Sequence, residues 1–112
     1  MDPTRLEALC RRYVEAFNDR DLECLRLMLA PTVRLRDWEL SADGLDDVMA
    51  QFSGLFALPD PLTARILRLY FRENGVAMEL EITIGAIDVL NVVDLIDFMP
   101  DGRISFISAF KQ

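Results

Sequence analysis

Apolar residues recur at helical spacing from Leu6 through Leu9, Cys10, Tyr13, Ala16 and Phe17, which predicts an amphipathic helix over residues 3–19. Asp2 stands where an N-cap is needed and Pro3 at the first helical position. Asn18-Asp19-Arg20-Asp21 breaks the pattern, and Asp21 is placed to cap a shorter helix through Leu22, Leu25, Met28 and Leu29, ended by Pro31. Residues 32–38 alternate as a strand. A polar loop then leads to Gly44 and a third helix marked by Leu45, Val48, Met49, Phe52, Leu55 and Phe56, closed by Pro59 and Pro61. The remainder reads as strands over 63–72, 76–84, 87–99 and 103–111, with Asn74-Gly75 and Pro100-Asp101-Gly102 as turns. Helices first and antiparallel strands after predict an α+β fold, three helices packed on a curved antiparallel sheet that can enclose an apolar pocket.

At 112 residues the expectation is one domain over 1–112, and 52% hydrophobic content supports a real core rather than a disordered chain. Twelve basic against nineteen acidic residues give a formal net charge of −7, which would repel a phosphate backbone, so no nucleic-acid partner is expected. Histidine is absent, which removes Ser-His-Asp and Cys-His catalysis and most zinc sites. Any acid–base chemistry must rest on Asp, Glu, Tyr, Lys or Cys, and no metal or organic cofactor is implied. Cys10 and Cys24 lie in helical segments without a disulfide framework and read as reduced thiols. No apolar run approaches membrane-spanning length and the N-terminus lacks the regions of a signal peptide; a soluble, cytoplasmic protein is the expectation.

Three positions carry candidate chemistry, each with an ordinary alternative. Val33, Leu35 and Asp37 share one face of the first strand, so Asp37 either ends that face toward the pocket or lies in solvent or beside an arginine. Asp94 sits mid-strand on a face with Val92, Ile96 and Phe98; unpaired and buried it would stay protonated and donate a hydrogen bond, whereas a salt bridge to an arginine would leave it structural. Tyr13 lies on the apolar face of the first helix, as a core residue or as a hydroxyl donor.

Together these positions resemble the catalytic set of bacterial ketosteroid isomerases, within the NTF2-like superfamily that also holds SnoaL-like proteins. Arg12-Tyr13-Val14-Glu15-Ala16-Phe17-Asn18 and Asp21-Leu22 resemble the family's Arg-Tyr-Val-x-Ala-Leu-Asn and Gly-Asp-Leu, and the likeness continues without a gap to Asp37. It resumes at Val93-Asp94 and runs to Asp101-Gly102-Arg103-Ile104. The resemblance implies Asp37 as the general base, with Tyr13 and a protonated Asp94 as the oxyanion hole. It also implies a substrate pocket lined by Phe17, Trp38, Phe52, Phe56, Val92, Ile96 and Phe98. The chain departs from those isomerases at Trp38, where they have proline, and at Phe52, where family members can place a further tyrosine.

Such folds host several activities. The leading expectation is an acid–base enzyme moving a proton next to the carbonyl of a hydrophobic small molecule. The alternatives are a non-catalytic ligand-binding or dimerisation module and a polyketide cyclase-like enzyme. An epoxide hydrolase would need an Asp-Arg-Asp water-activating group; Arg65 or Arg68 could supply the arginine, but the sequence shows no motif for it. A homodimer through the sheet is expected, with Val93, Leu95, Ile107 and Ala109 on the exposed face and Glu79, Glu81 and Arg103 at its rim.

Overall fold

The computed structural model describes all residues, 1–112. Helix α1 spans Pro3–Asn18 and opens on Asp2, whose side chain accepts from the Thr4 N–H at 2.8 Å. At its C-terminus the Arg20 N–H donates to the Phe17 carbonyl and the Asp21 N–H to the Ala16 carbonyl, while Arg20 sits in the left-handed region at φ 53°. This is the Schellman arrangement, and it normally takes glycine because a Cβ costs about 1–2 kcal/mol there. Arg20→Gly is therefore expected to stabilise the fold by about 0.5–1 kcal/mol, part of the gain being offset by the freer unfolded chain. Urea denaturation checks this; a lowered midpoint would show that the Arg20 side chain contributes more than its backbone strain costs.

Asp21 then caps α2, Leu22–Met28, accepting from the Cys24 N–H at 3.0 Å. The helix stops one residue earlier than its apolar spacing predicts, because Leu29 already takes extended geometry two residues before Pro31 and starts strand β1, Leu29–Arg36. Pro31 falls where the β1 register slips between Leu29 and Arg34, the kind of irregularity that tolerates a missing N–H. The expected polar loop contains a short strand, β2 (Ser41–Asp43), before α3 (Leu45–Phe56). Then follow β3 (Leu62–Arg72), β4 (Gly75–Ile84), β5 (Asp88–Phe98) and β6 (Ile104–Lys111). The β3–β4 turn is made by Glu73 and Asn74; Gly75 is the first residue of β4, where a Cβ would meet an Asp97 carboxylate oxygen at 3.0 Å.

The six strands form one curved sheet in the order β2-β1-β6-β5-β4-β3. All neighbours are antiparallel except β1 and β6, which run parallel. Closing the first long strand against the last in this way wraps the sheet around the helices into an α+β cone. Its closed end is solid core, where Leu6, Leu25, Ile96, Phe98 and Ile104 are all buried. No helix is long and apolar enough to cross a membrane.

Candidate active site

The open end of the cone holds a cavity of about 320 Å³ lined by Tyr13, Phe17, Leu35, Asp37, Trp38, Leu40, Phe52, Leu55, Leu58, Leu62, Ile82, Ile84, Leu90, Val92, Asp94, Ile107 and Ala109. All but Asp37 and Asp94 are apolar or aromatic, and Tyr13, Asp37 and Asp94 meet on this one space. Each arrives by a different route. Tyr13 is carried on the buried face of α1, its ring edge-on to Phe52 at 6.3 Å. Asp94 stands in the middle of β5, opposite Met78 on β4 and Ala109 on β6. Asp37 lies just past the end of β1, in the turn to β2.

That position corrects the strand expected over 32–38. Asp37 and Trp38 are turn residues, so strict alternation no longer applies and both adjacent side chains line the cavity. The turn is held by Asp37 itself: Oδ1 accepts from the Glu39 N–H at 2.7 Å and from the Leu40 N–H at 2.5 Å. Both bonds use one carboxylate oxygen, which leaves Oδ2 without a partner in the turn. Arginine does not compensate Asp37; Arg34 and Arg36 pair with Asp43 instead. Lys111 lies over the Trp38 ring at 5.6 Å beside the mouth.

Asp94 is 8% exposed and belongs to no ion pair. Burial pushes its carboxyl up from an ordinary 3.8 to about 7, and the nearby charge of Asp37 adds to the rise. Tyr13 is held well above 10, first by burial, then by Asp94 and Cys10. Neither the Tyr13 hydroxyl nor the Asp94 carboxyl bonds to another protein group, so both point hydrogen-bonding capacity into an apolar space. A buried carboxyl with a raised pKa and a second carboxyl in a turn on the same cavity, beside a neutral phenol, can divide base and donor roles between them.

The expected pocket residues separate by depth. Phe17, Trp38, Phe52 and Val92 line the cavity. Phe56 does not; it packs behind the wall, 5.6 Å from the Phe17 ring and 6.1 Å from the Phe52 ring. Ile96 and Phe98 share the inner face with Asp94 but belong to the solid core at the closed end. The larger correction concerns Ile107 and Ala109, expected on the exposed face. Ile107 pairs with Ile96 and Ala109 with Asp94, and directly paired residues share a face, so both look inward. The unforeseen lining residues follow from the same alternation: Ile82 and Ile84 continue the inner face of β4, and Leu55 lies one turn beyond Phe52 on α3. Leu90 continues the inward row of β5, whereas Leu40, Leu58 and Leu62 sit at or just beyond element ends, where periodicity carries little signal.

Arg65 and Arg68 lie on the opposite face, paired with Glu81 at 3.2 Å and Glu79 at 2.9 Å. The cavity therefore contains no arginine to stand between two acids.

A family model described as a SnoaL-like domain matches residues 10–107. No curated protein matches the chain by sequence. Among solved structures, a ketosteroid isomerase candidate from Kribbella flavida superposes with a TM-score of 0.85 at 22% identity, covering 97% of this chain and 78% of that one. A SnoaL-like protein of unknown function from Burkholderia thailandensis gives 0.84 at 16% identity, over 100% and 98% of the two chains. SalBIII, described as an epoxide hydrolase/cyclase-like enzyme in pyran ring formation of the polyether salinomycin, gives 0.84 at 16% identity, over 99% and 93%. At these identities the likeness is one of fold.

Proposed function

Since the chain belongs to the SnoaL-like domain family, we propose that it is an acid–base enzyme of the ketosteroid isomerase kind, acting on a hydrophobic carbonyl compound through a stabilised enolate. The observation that carries this reading is the meeting of Tyr13, Asp37 and Asp94 on one apolar cavity. In the proposed reaction the Asp37 carboxylate takes a proton from the carbon next to the carbonyl. The C–H electron pair becomes the enolate double bond, and negative charge gathers on the carbonyl oxygen. Tyr13 and neutral Asp94 donate hydrogen bonds to that oxygen, worth most where water is excluded. Asp37 then returns the proton to a different carbon of the same conjugated system, so the substrate is isomerised and the protein is unchanged. No group outside the chain takes part in these steps.

The test is titration of a phenolic steroid analogue, an enolate mimic, into wild type and Asp94→Ala, followed by an isomerase assay on a β,γ-unsaturated ketone. Tight binding lost in the variant supports the reading. Equal binding by both proteins would refute the donor role of Asp94 and favour a ligand-binding module.

We further propose that the outer face of the sheet pairs with a second copy. Tyr70 (57% exposed), Leu95 (43%) and Phe110 (55%) stand there, and a shallow groove of about 380 Å³ runs among Tyr70, Phe71, Ala77, Leu95 and Phe106. Apolar exposure of this extent on one sheet face is unusual for a monomer. Charged pairs flank it: Arg68 with Glu79 and Arg65 with Glu81; Arg103 is instead engaged with Asp101 in the β5–β6 turn. Leu95→Arg is expected to convert a dimer to a monomer in sedimentation equilibrium. A wild type that sediments as a monomer at every concentration would overturn the proposal.

A further inference from the structure

Asn18 is the last residue of α1, and its side chain crosses to the opposite wall of the cone. Its Nδ2 donates to the Ala64 carbonyl at 2.9 Å, and the Ala64 N–H donates to its Oδ1 at 2.7 Å. β3 is an edge strand, so these are backbone groups that β4 does not satisfy. One planar amide supplies both the donor and the acceptor that a neighbouring strand would have offered. Among side chains of this length, aspartate lacks the donor and leucine lacks both.

The clasp stands between two spaces. Outside it an open surface groove of about 390 Å³ is bordered by Arg11, Val14, Glu15, Arg65 and Asn18 itself. Inside it a narrow fissure of about 30 Å³ runs between Phe17, Ala64 and Leu80 to Tyr13 and Asp94. Val14 borders both, so a single layer of side chains separates surface from site. Directly after Asn18 the left-handed Arg20 turn ends the helix, fixing where the amide can reach.

We infer that Asn18 is a positioning residue: by tying α1 to the sheet edge between groove and fissure, it closes the back of the site and sets Tyr13 against Asp94. Its work is done through other residues. With the clasp closed, water is kept from the rear of Asp94; with it open, α1 can draw away from β3 and the fissure joins the surface groove. The groups that bear on Asp94 from its neighbours are Tyr13 and Cys10 on α1 and Asp37 in the β1–β2 turn. None of them hydrogen-bonds to Asn18 or Ala64, so a change at Asn18 reaches Asp94 through the packing of α1.

The inference deepens the acid–base reading and rests on it only for the ligand arm of the test. The Asp94 carboxyl would be titrated by ¹³C NMR, without ligand, in wild type, Asn18→Ala, Asn18→Gln and Leu69→Ala. Asn18→Ala is expected to bring the Asp94 pKa down from about 7 toward the ordinary carboxylate range as water enters. Asn18→Gln, which keeps donor and acceptor on a longer arm, is expected to fall between and guards against an alanine variant that fails to fold. Leu69→Ala removes packing elsewhere on β3 and is expected to lose stability with Asp94 unmoved. Affinity for the phenolic steroid analogue is expected to drop about tenfold or more in Asn18→Ala, because small misplacements of donors are costly. An unchanged Asp94 titration in both Asn18 variants, or an equal change in Leu69→Ala, would overturn the inference. A wild type that ignores the phenol while Asn18→Ala still moves Asp94 would refute the catalytic reading and leave the clasp standing.

Discussion

Replacing Asp37 by asparagine is expected to slow isomerisation of a β,γ-unsaturated ketone by about 10²- to 10⁴-fold, the usual worth of a positioned general base. The substitution is nearly isosteric. The amide oxygen that replaces the carboxylate can still accept from the Glu39 and Leu40 N–H groups, so the turn should keep its shape. Binding of the phenolic analogue should survive and even tighten, since a negative charge facing an enolate-like anion is removed. A fall in rate without a fall in affinity is the signature of a group that acts only in the chemical step. Loss of affinity together with rate would mean that Asp37 shapes the cavity, and an unaltered rate would remove it from the mechanism.

The second large effect concerns Asp94 and couples stability to activity. Its carboxyl titrates near 3.8 in an ordinary setting and near 7 in the fold, chiefly because burial disfavours the charged form. A raised carboxyl pKa means that the folded protein holds a proton the unfolded chain has released, so unfolding becomes easier as pH rises. The contribution of Asp94 is whole below about 3.8, declines above it, and is gone once pH has passed about 7. At about 1.36 kcal/mol per pH unit this span is on the order of 4 kcal/mol. Asp43 and Asp101 act in the opposite sense, since hydrogen bonds and nearby arginines hold their pKa values down and their contribution is lost only as pH falls through the acid range.

Asp94→Asn is neutral at every pH and nearly the same shape. Relative to wild type it is therefore expected to gain stability as pH rises from about 4 to beyond 7, measured as the difference between two urea-denaturation series. The same variant should lose rate by about 10²- to 10³-fold, as removal of an oxyanion donor usually does. Its amide is a weaker donor than a carboxylic acid. A residue whose removal strengthens the fold and weakens the chemistry is held for function rather than for structure. If the two pH series ran parallel, Asp94 would be either hydrated or compensated, and its donor role would fall with its raised pKa. Ligand binding offers an independent check, because affinity for the phenol should decline above about pH 7 in wild type as Asp94 ionises.

Much of this is legible in the chain because it is local. The 3.6-residue spacing of Leu6, Cys10, Tyr13 and Phe17 places Tyr13 on the buried side of α1 whatever α1 packs against. Asp2 and Asp21 announce the two helix starts by their own hydrogen-bonding chemistry. The alternation Val92, Asp94, Ile96, Phe98 puts an acid on an apolar face, while its lack of an ion pair is decided only by which residues the fold brings beside it. Other features mislead. Alternation makes Asp37 the last inward residue of a strand; it is a turn residue that reaches the cavity because its own carboxylate folds the turn. Ile107 and Ala109 look outward in the pattern and inward in the fold, because their face depends on how β6 registers against β5 across the intervening turn. No single-strand pattern contains that register.

What the sequence determined by itself is which residues share a face of one element, since backbone periodicity is a local property. It could not determine whether a shared face becomes wall or core. Val92, Asp94, Ile96 and Phe98 lie in one inward row, yet the first two border a cavity and the last two are packed solid. That division is made by closure of the cone: β1 running parallel to β6, and Asn18 tying α1 to the far edge of the sheet. Each of these contacts joins segments far apart in the chain. Burial is what raises the pKa of Asp94, and it exists only once they have met.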